Sequence, residues 1–251
     1  MNQDGRVRHL ILHYTSENFS ESLRLLTERT VNPVSAHYLV DRPGRDGSRP
    51  VIYRLVPESG RAWHAGRSFW LGESALNASS IGIEIVNESA CTLQQTLEGC
   101  TFEPYPPAQI DAVISLCLEV LARHPDITPW RVLAHSDIAP ERKVDPGPQF
   151  PWHALYEAGI GAWYEREVYD RYRRRFRADP PTLGLSQEAL AAWGFDLEAT
   201  GERDEVTREA VRAFQLHFRP QRHDGELDVQ TNAILFALLE RYRPDALRDL
   251  R

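Results

Sequence analysis

Along the first two thirds of the chain, the spacing of apolar positions switches repeatedly between strand-like runs and helix-like stripes. Arg8–His13 is short, apolar and β-compatible, and predicts a strand. Ser20 is a candidate cap for a helix to about Thr30, with Leu23, Leu25 and Leu26 turned inward. Residues 36–40 and 51–56 read as a hairpin around Pro43, Gly44, Asp46 and Gly47. Ser80–Asn87 is the strongest strand signal, with the near-continuous apolar run of a central strand covered on both faces. One carboxylate, Glu84, interrupts it. Pro107–His124 predicts a long helix burying Ile110, Val113, Ile114, Cys117, Leu118 and Leu121. A strand over Arg131–Ala134 leads to His135, Asp145-Pro146-Gly147-Pro148 forces a loop, and Trp152–Gly159 reads as a short helix. The alternation predicts an α/β fold, a central mixed sheet flanked by helices.

After about Gly161 the pattern is helical. The Arg-, Glu- and Tyr-rich run before Asp179-Pro180-Pro181 is expected to be a connector, partly helical. Candidate helices follow at Ser186–Trp193, Thr207–His217 and Val229–Tyr242, with Ser186, Thr207 and Asp228 as caps. The expected organisation is a domain over 1–165, a linker over 166–182 and a small three-helix domain over 183–251. A core of that size is marginal on its own.

Charge and cysteine content narrow the function. A net charge of -7 leaves no basic surface for phosphates, which sets nucleic acid aside. No window approaches the roughly 20 apolar residues of a transmembrane helix. Met1–Arg6 carries no legible secretory leader. Three cysteines are too few for a cysteine-based zinc site. Cys117 falls in the apolar stripe of a helix and reads as a buried thiol. Cys91 and Cys100 bracket a polar segment whose hairpin would bring them together; spacing leaves a disulfide open.

The chemistry lies at strand ends. His13 and His135 each close a strand, and Asp145 follows ten residues after His135 in the proline-rich loop. Two imidazoles and a carboxylate are the protein ligands of a catalytic zinc with its fourth position left for water. The alternative is three ordinary polar residues where strands meet loops. Glu84, inside an apolar strand, is costly to bury unless paired, protonated or near a metal. Burial raises a carboxyl toward the range of a general base, and an ion pair with an arginine is the other reading. Lys143 sits two residues before Asp145, so an extended segment turns both side chains to one face. An ammonium there suits a developing oxyanion, unless it is an ordinary solvated lysine.

Five ordered segments carry a resemblance: Val7–Tyr14 (VRHLILHY), Ser35–Val40 (SAHYLV), Ala62–Gly66 (AWHAG), Asn77–Asn87 (NASSIGIEIVN) and His135–Pro148 (HSDIAPERKVDPGP). In order and spacing they resemble the zinc-dependent N-acetylmuramoyl-L-alanine amidases of the AmpD and AmiD type, whose fold is shared with peptidoglycan recognition proteins. The resemblance spans roughly residues 6–165. It implies zinc on His13, His135 and Asp145, Glu84 as general base, Lys143 supporting the transition state, and Trp63, His64 and Asn77 near the substrate groove. Some members place a tyrosine in the second strand where this chain has Ala36, which leaves Glu84 as the base; His37 beside it reads as structural.

Val211–Phe218 (VRAFQLHF), with Asp224–Thr231 after it, resembles the three-helix peptidoglycan-binding domain. The implied activity is hydrolysis of the amide between N-acetylmuramic acid, or its anhydro form, and L-alanine, in peptidoglycan or muropeptides. The C-terminal module favours the periplasm or cell envelope, with the cytoplasm as the alternative. Two other readings stand beside it: a cytosolic recycling amidase confined to soluble anhydro-muropeptides, and a non-catalytic peptidoglycan-binding protein. His9, His124, His153, His217 and His223 have no partner nameable from sequence.

Overall fold

The computed structural model describes residues 6–31, 33–91 and 97–250. The first half is built on strands β1 (His9–Tyr14), β2 (Tyr38–Val40), β3 (Ile52–Arg54), β6 (Ser80–Ile85) and β7 (Val132–Ala134), joined in the order β3-β2-β6-β1-β7. A two-stranded ribbon, β4 (Phe69–Trp70) and β5 (Glu73–Ser74), stands apart. β6 runs parallel to both β1 and β2, and β7 runs parallel to β1. β3 is antiparallel to β2, as the hairpin pattern predicts, so the sheet is mixed. The helices of this half are α1 (Phe19–Thr27), α2 (Pro107–Arg123), the single turn α3 (His135–Ile138) and α4 (Trp152–Glu157). Asn18, two residues before the serine expected, caps α1 by accepting from the Glu21 amide.

The side-chain period of two then divides the sheet. Leu10, Leu12, Ile81, Ile83, Ile85 and Val132 share one core cluster with α2. α2 buries Ile110, Val113, Leu116, Cys117 and Val120, while Leu118, expected inside, is 44% exposed. Leu118 lies about 100° around the helix from Cys117 and so falls off the stripe. Burial pushes the Cys117 thiol up to about 12. His13 and Glu84, one position out of step with these residues along β1 and β6, turn to the opposite face.

Gly82 on that face has no side chain for a packing reason. A Cβ there would lie 2.4 Å from Cγ of His64, whose ring rests on the strand. Gly82→Ala is therefore expected to lower stability by about 1–3 kcal/mol through overpacking. A thermal melt checks this; an unchanged Tm would mean that His64 moves aside freely.

The second half holds α5 (Arg166–Ala178), α6 (Leu183–Trp193), α7 (Glu205–Phe218), α8 (Val229–Tyr242) and α9 (Pro244–Asp249). The caps of α6 and α7 are Thr182 and Asp204, each a few residues before the serine and threonine expected. Asp228 caps α8 as expected, its side chain accepting from the Thr231 amide. The stretch expected as a connector carries a helix: α5 buries Tyr169, Tyr172 and Phe176 among Phe236 and its neighbours. One cluster runs without a break from Ile11, Leu133 and Ile138 of the first half to Phe214, Phe218 and Leu235 of the second. The small helical core, marginal alone, is thus completed by α5 and by the α/β half.

Candidate active site and metal centre

Parallel pairing of β1 with β6 sets His13 directly opposite Glu84. β7, on the other side of β1, ends one residue before His135, which opens α3. The amide of Ser136 donates to the Asp145 carbonyl at 3.1 Å, which fastens the proline-rich loop to that turn. Adjacent strand ends therefore bring together residues separated by more than a hundred positions.

Three atoms converge there. His13 Nδ1 and His135 Nδ1 lie 2.9 Å apart, and Asp145 Oδ2 is 3.1 Å from the first and 3.0 Å from the second. Among the described residues, this His, His and Asp are grouped closely enough to hold a metal ion, and all three are buried. Bonds of about 2.0–2.1 Å to a tetrahedral ion would set ligand atoms about 3.3 Å apart, so small adjustments admit one. Nitrogen and carboxylate donors suit a borderline divalent cation.

The outer nitrogens are held in a consistent direction. His135 Nε2 faces the Ala65 carbonyl at 3.3 Å, so it carries the proton and leaves the Nδ1 lone pair to the centre. His13 Nε2 faces His64 Nδ1 at 3.0 Å, His64 Nε2 faces Ser80 Oγ at 3.1 Å, and that hydroxyl donates to the Leu76 carbonyl at 2.6 Å. A carbonyl only accepts, so every proton along this chain points away from the centre, and His13 Nδ1 is again free. Burial, with the neighbouring imidazoles, holds His64 well below the usual histidine range, as its role as acceptor requires. Burial also lowers His135 to about 4, against the opposing pull of Asp145. For Asp145 burial opposes the charge; the neighbouring His135, His13 and Lys143 outweigh it and hold the carboxyl well below the usual carboxylate range.

A cavity of about 200 Å³ opens on these atoms, and Glu84, Lys143 and His64 line it together with His13, His135 and Asp145. Glu84 Oε2 is enclosed and has no hydrogen-bond partner among the described residues. Burial, reinforced by Asp145, pushes this carboxyl up to about 7 against the opposing charges of His13 and Lys143. The charges that act on it are those of the centre itself and not an arginine's, which favours the acid–base reading over a structural ion pair.

The looser expectations fare differently. His64 reaches the cavity but spends its ring on His13 and Ser80. Asn77 is buried, and its Oδ1 accepts from the amides of His64 and Ala65, so it shapes the segment that carries them. Trp63 is 55% exposed beneath the Arg61 guanidinium and does not line the cavity. His37 Nδ1 accepts from the Gly82 amide, the structural role expected. Sequence reasoning does not single out Arg142: its guanidinium donates to the carbonyls of Ala65 and Arg67 and fixes the loop over His135. Gly66 (φ +58°) leaves it room, since a Cβ would lie 3.0 Å from Arg142 Nη2.

A sequence model of the N-acetylmuramoyl-L-alanine amidase family matches residues 3–148. The chain belongs to that family. It is 43% identical over 242 residues to N-acetylmuramoyl-L-alanine amidase AmiD of Escherichia coli strain K12, covering 96% of this chain and 85% of the relative. The crystal structure of AmpDH3 from Pseudomonas aeruginosa superposes with a TM-score of 0.87 at 46% identity, over 94% of this chain and 92% of that one. E. coli AmiD, solved with anhydro-N-acetylmuramic acid-L-Ala-D-gamma-Glu-L-Lys, gives a TM-score of 0.82 at 41% identity, over 94% and 90%. Residues 181–235 match a family described as a peptidoglycan binding domain. The protein is an amidase that hydrolyses the bond between N-acetylmuramic acid and L-alanine.

Proposed function

We propose that the amidase uses one zinc ion held by His13, His135 and Asp145, with Glu84 as the acid–base group and Lys143 as the oxyanion's partner. The observation that carries this reading is the convergence of three lone-pair donors on a cavity that also holds a carboxylate oxygen without a hydrogen-bond partner among the described residues. Bound there, zinc supplies Lewis acidity and makes water nucleophilic near neutral pH. Glu84 accepts the proton from the attacking water and delivers it to the departing nitrogen of L-alanine. The Lys143 ammonium balances the negative charge that develops on the carbonyl oxygen. His64, Asn77 and Arg142 hold these groups in place.

Polymeric wall in the cell envelope is the proposed substrate, and the helical half is its anchor. Two observations favour this over a cytosolic recycling role. Residues 181–235 match the peptidoglycan-binding family, and Cys91 is disulfide-bonded to Cys100, which fits an oxidising compartment. Incubating the protein with purified sacculi and, separately, with anhydro-muropeptides, each with and without a chelator, tests both points by mass spectrometry. Chelator-sensitive release of stem peptides from sacculi is expected. Activity on soluble fragments alone would remove the wall reading, and activity untouched by exhaustive chelation would remove the zinc.

A further inference from the structure

We propose that His217, on α7 of the helical half, is a positioning residue for the metal centre, acting through Asp137 on the turn that carries His135. The inference rests on the metal reading above. α3 is a single turn with all four of its side chains buried, so side-chain contacts rather than a backbone ladder set its place. Asp137, its third residue, accepts two hydrogen bonds on Oδ2. One comes from the Ala134 amide at 2.8 Å, at the end of β7 and directly before His135. The other comes from His217 Nδ1 at 2.7 Å.

Both partners are enclosed, Asp137 at 2% exposure and His217 at 3%, and Asp137 Oδ1 has no hydrogen-bond partner among the described residues. His217 is thus the side-chain donor that offsets a buried carboxylate. Without it Asp137 Oδ2 would have to take up water or turn away, and either change disturbs the Ala134 bond that aims His135. The imidazole is itself fixed, stacked at 3.8 Å on Trp152 and at 4.0 Å on Phe218. Trp152 opens α4, which follows the Asp145 loop, so one ring from the far half touches the segments beyond two of the three ligands. The helical half then does more than anchor: it is part of the scaffold of the metal centre.

His217→Leu and His217→Asn in the full chain separate this from mere packing, because the Asn amide can stand in for Nδ1–H while Leu cannot. Zinc affinity is read by chelator competition, and ligand geometry by the visible spectrum of the cobalt-loaded protein. In H217L, affinity is expected to fall about 10–100-fold, as for other lost partners of metal ligands, with a changed cobalt spectrum. H217N should recover most of both. Should H217L fail to fold, His217→Gln, which displaces the donor by one bond, takes its place. A lowered Tm with native zinc affinity and native cobalt spectrum in H217L (or H217Q) would overturn the inference. Native protein that binds no zinc would instead overturn the metal reading.

Discussion

Replacing Glu84 with Gln is expected to lower kcat by about 10²–10⁴-fold, the usual contribution of a positioned acid–base group, while zinc content stays at the native level. Glu84 faces the cavity from β6 but is not one of the three converging donors, so removing its charge should spare metal binding. Burial has already brought its carboxyl to about 7. A base must be deprotonated, so native kcat/KM should fall as pH drops through the Glu84 pKa, drawn below about 7 by the charge of a bound cation. The Gln variant should lack this acid limb. Stability follows the opposite sense. A carboxyl raised on folding contributes stability below its unfolded pKa, and that contribution is lost as pH rises through the folded value. Metal-free native protein should therefore lose stability relative to E84Q between pH about 4.5 and about 7, readable as diverging Tm values. A variant keeping both full kcat and the acid limb would remove Glu84 from the reaction.

His135→Ala should have the largest effect, abolishing zinc retention and hydrolysis together. The metal supplies several kcal/mol of transition-state stabilisation, so a loss of at least about a thousandfold in kcat/KM is expected. Burial keeps His135 neutral near pH 7, with its lone pair directed at the centre by the Ala65 carbonyl. Re-adding zinc after chelation should restore the native protein and leave the variant inactive. Elemental analysis beside the rate assay decides the matter: a variant that holds one zinc per chain would show that His135 is not a ligand.

Local pattern carries much of the architecture. β1, β6 and α2 are legible because their apolar runs satisfy both local propensity and the final packing. α8 is legible because an aspartate stands immediately before its apolar stripe, and Asp228 does cap it. Glu84 stands out because a carboxylate in an apolar strand violates the pattern around it. α5 is harder to read: its polar surface is dense in arginine, and only the three buried rings at Tyr169, Tyr172 and Phe176 show that α8 lies against it. The roles of His64 and His217 are beyond reach for another reason. Each depends on a partner brought close by folding, Ser80 and His13 for one, Asp137 for the other, and no local spacing signals such contacts. The resemblance supplies the proposed ligand set, and the pairing of β1 with β7, together with the bond from the Ser136 amide to the Asp145 carbonyl, gives its convergence a physical cause.

X-ray absorption at the zinc edge of the loaded native protein tests the central claim most directly. One zinc per chain, with two imidazole nitrogens and oxygen donors at about 2.0–2.2 Å, is the predicted result. Zinc with sulfur neighbours, with a different number of imidazoles, or not retained at all would contradict it.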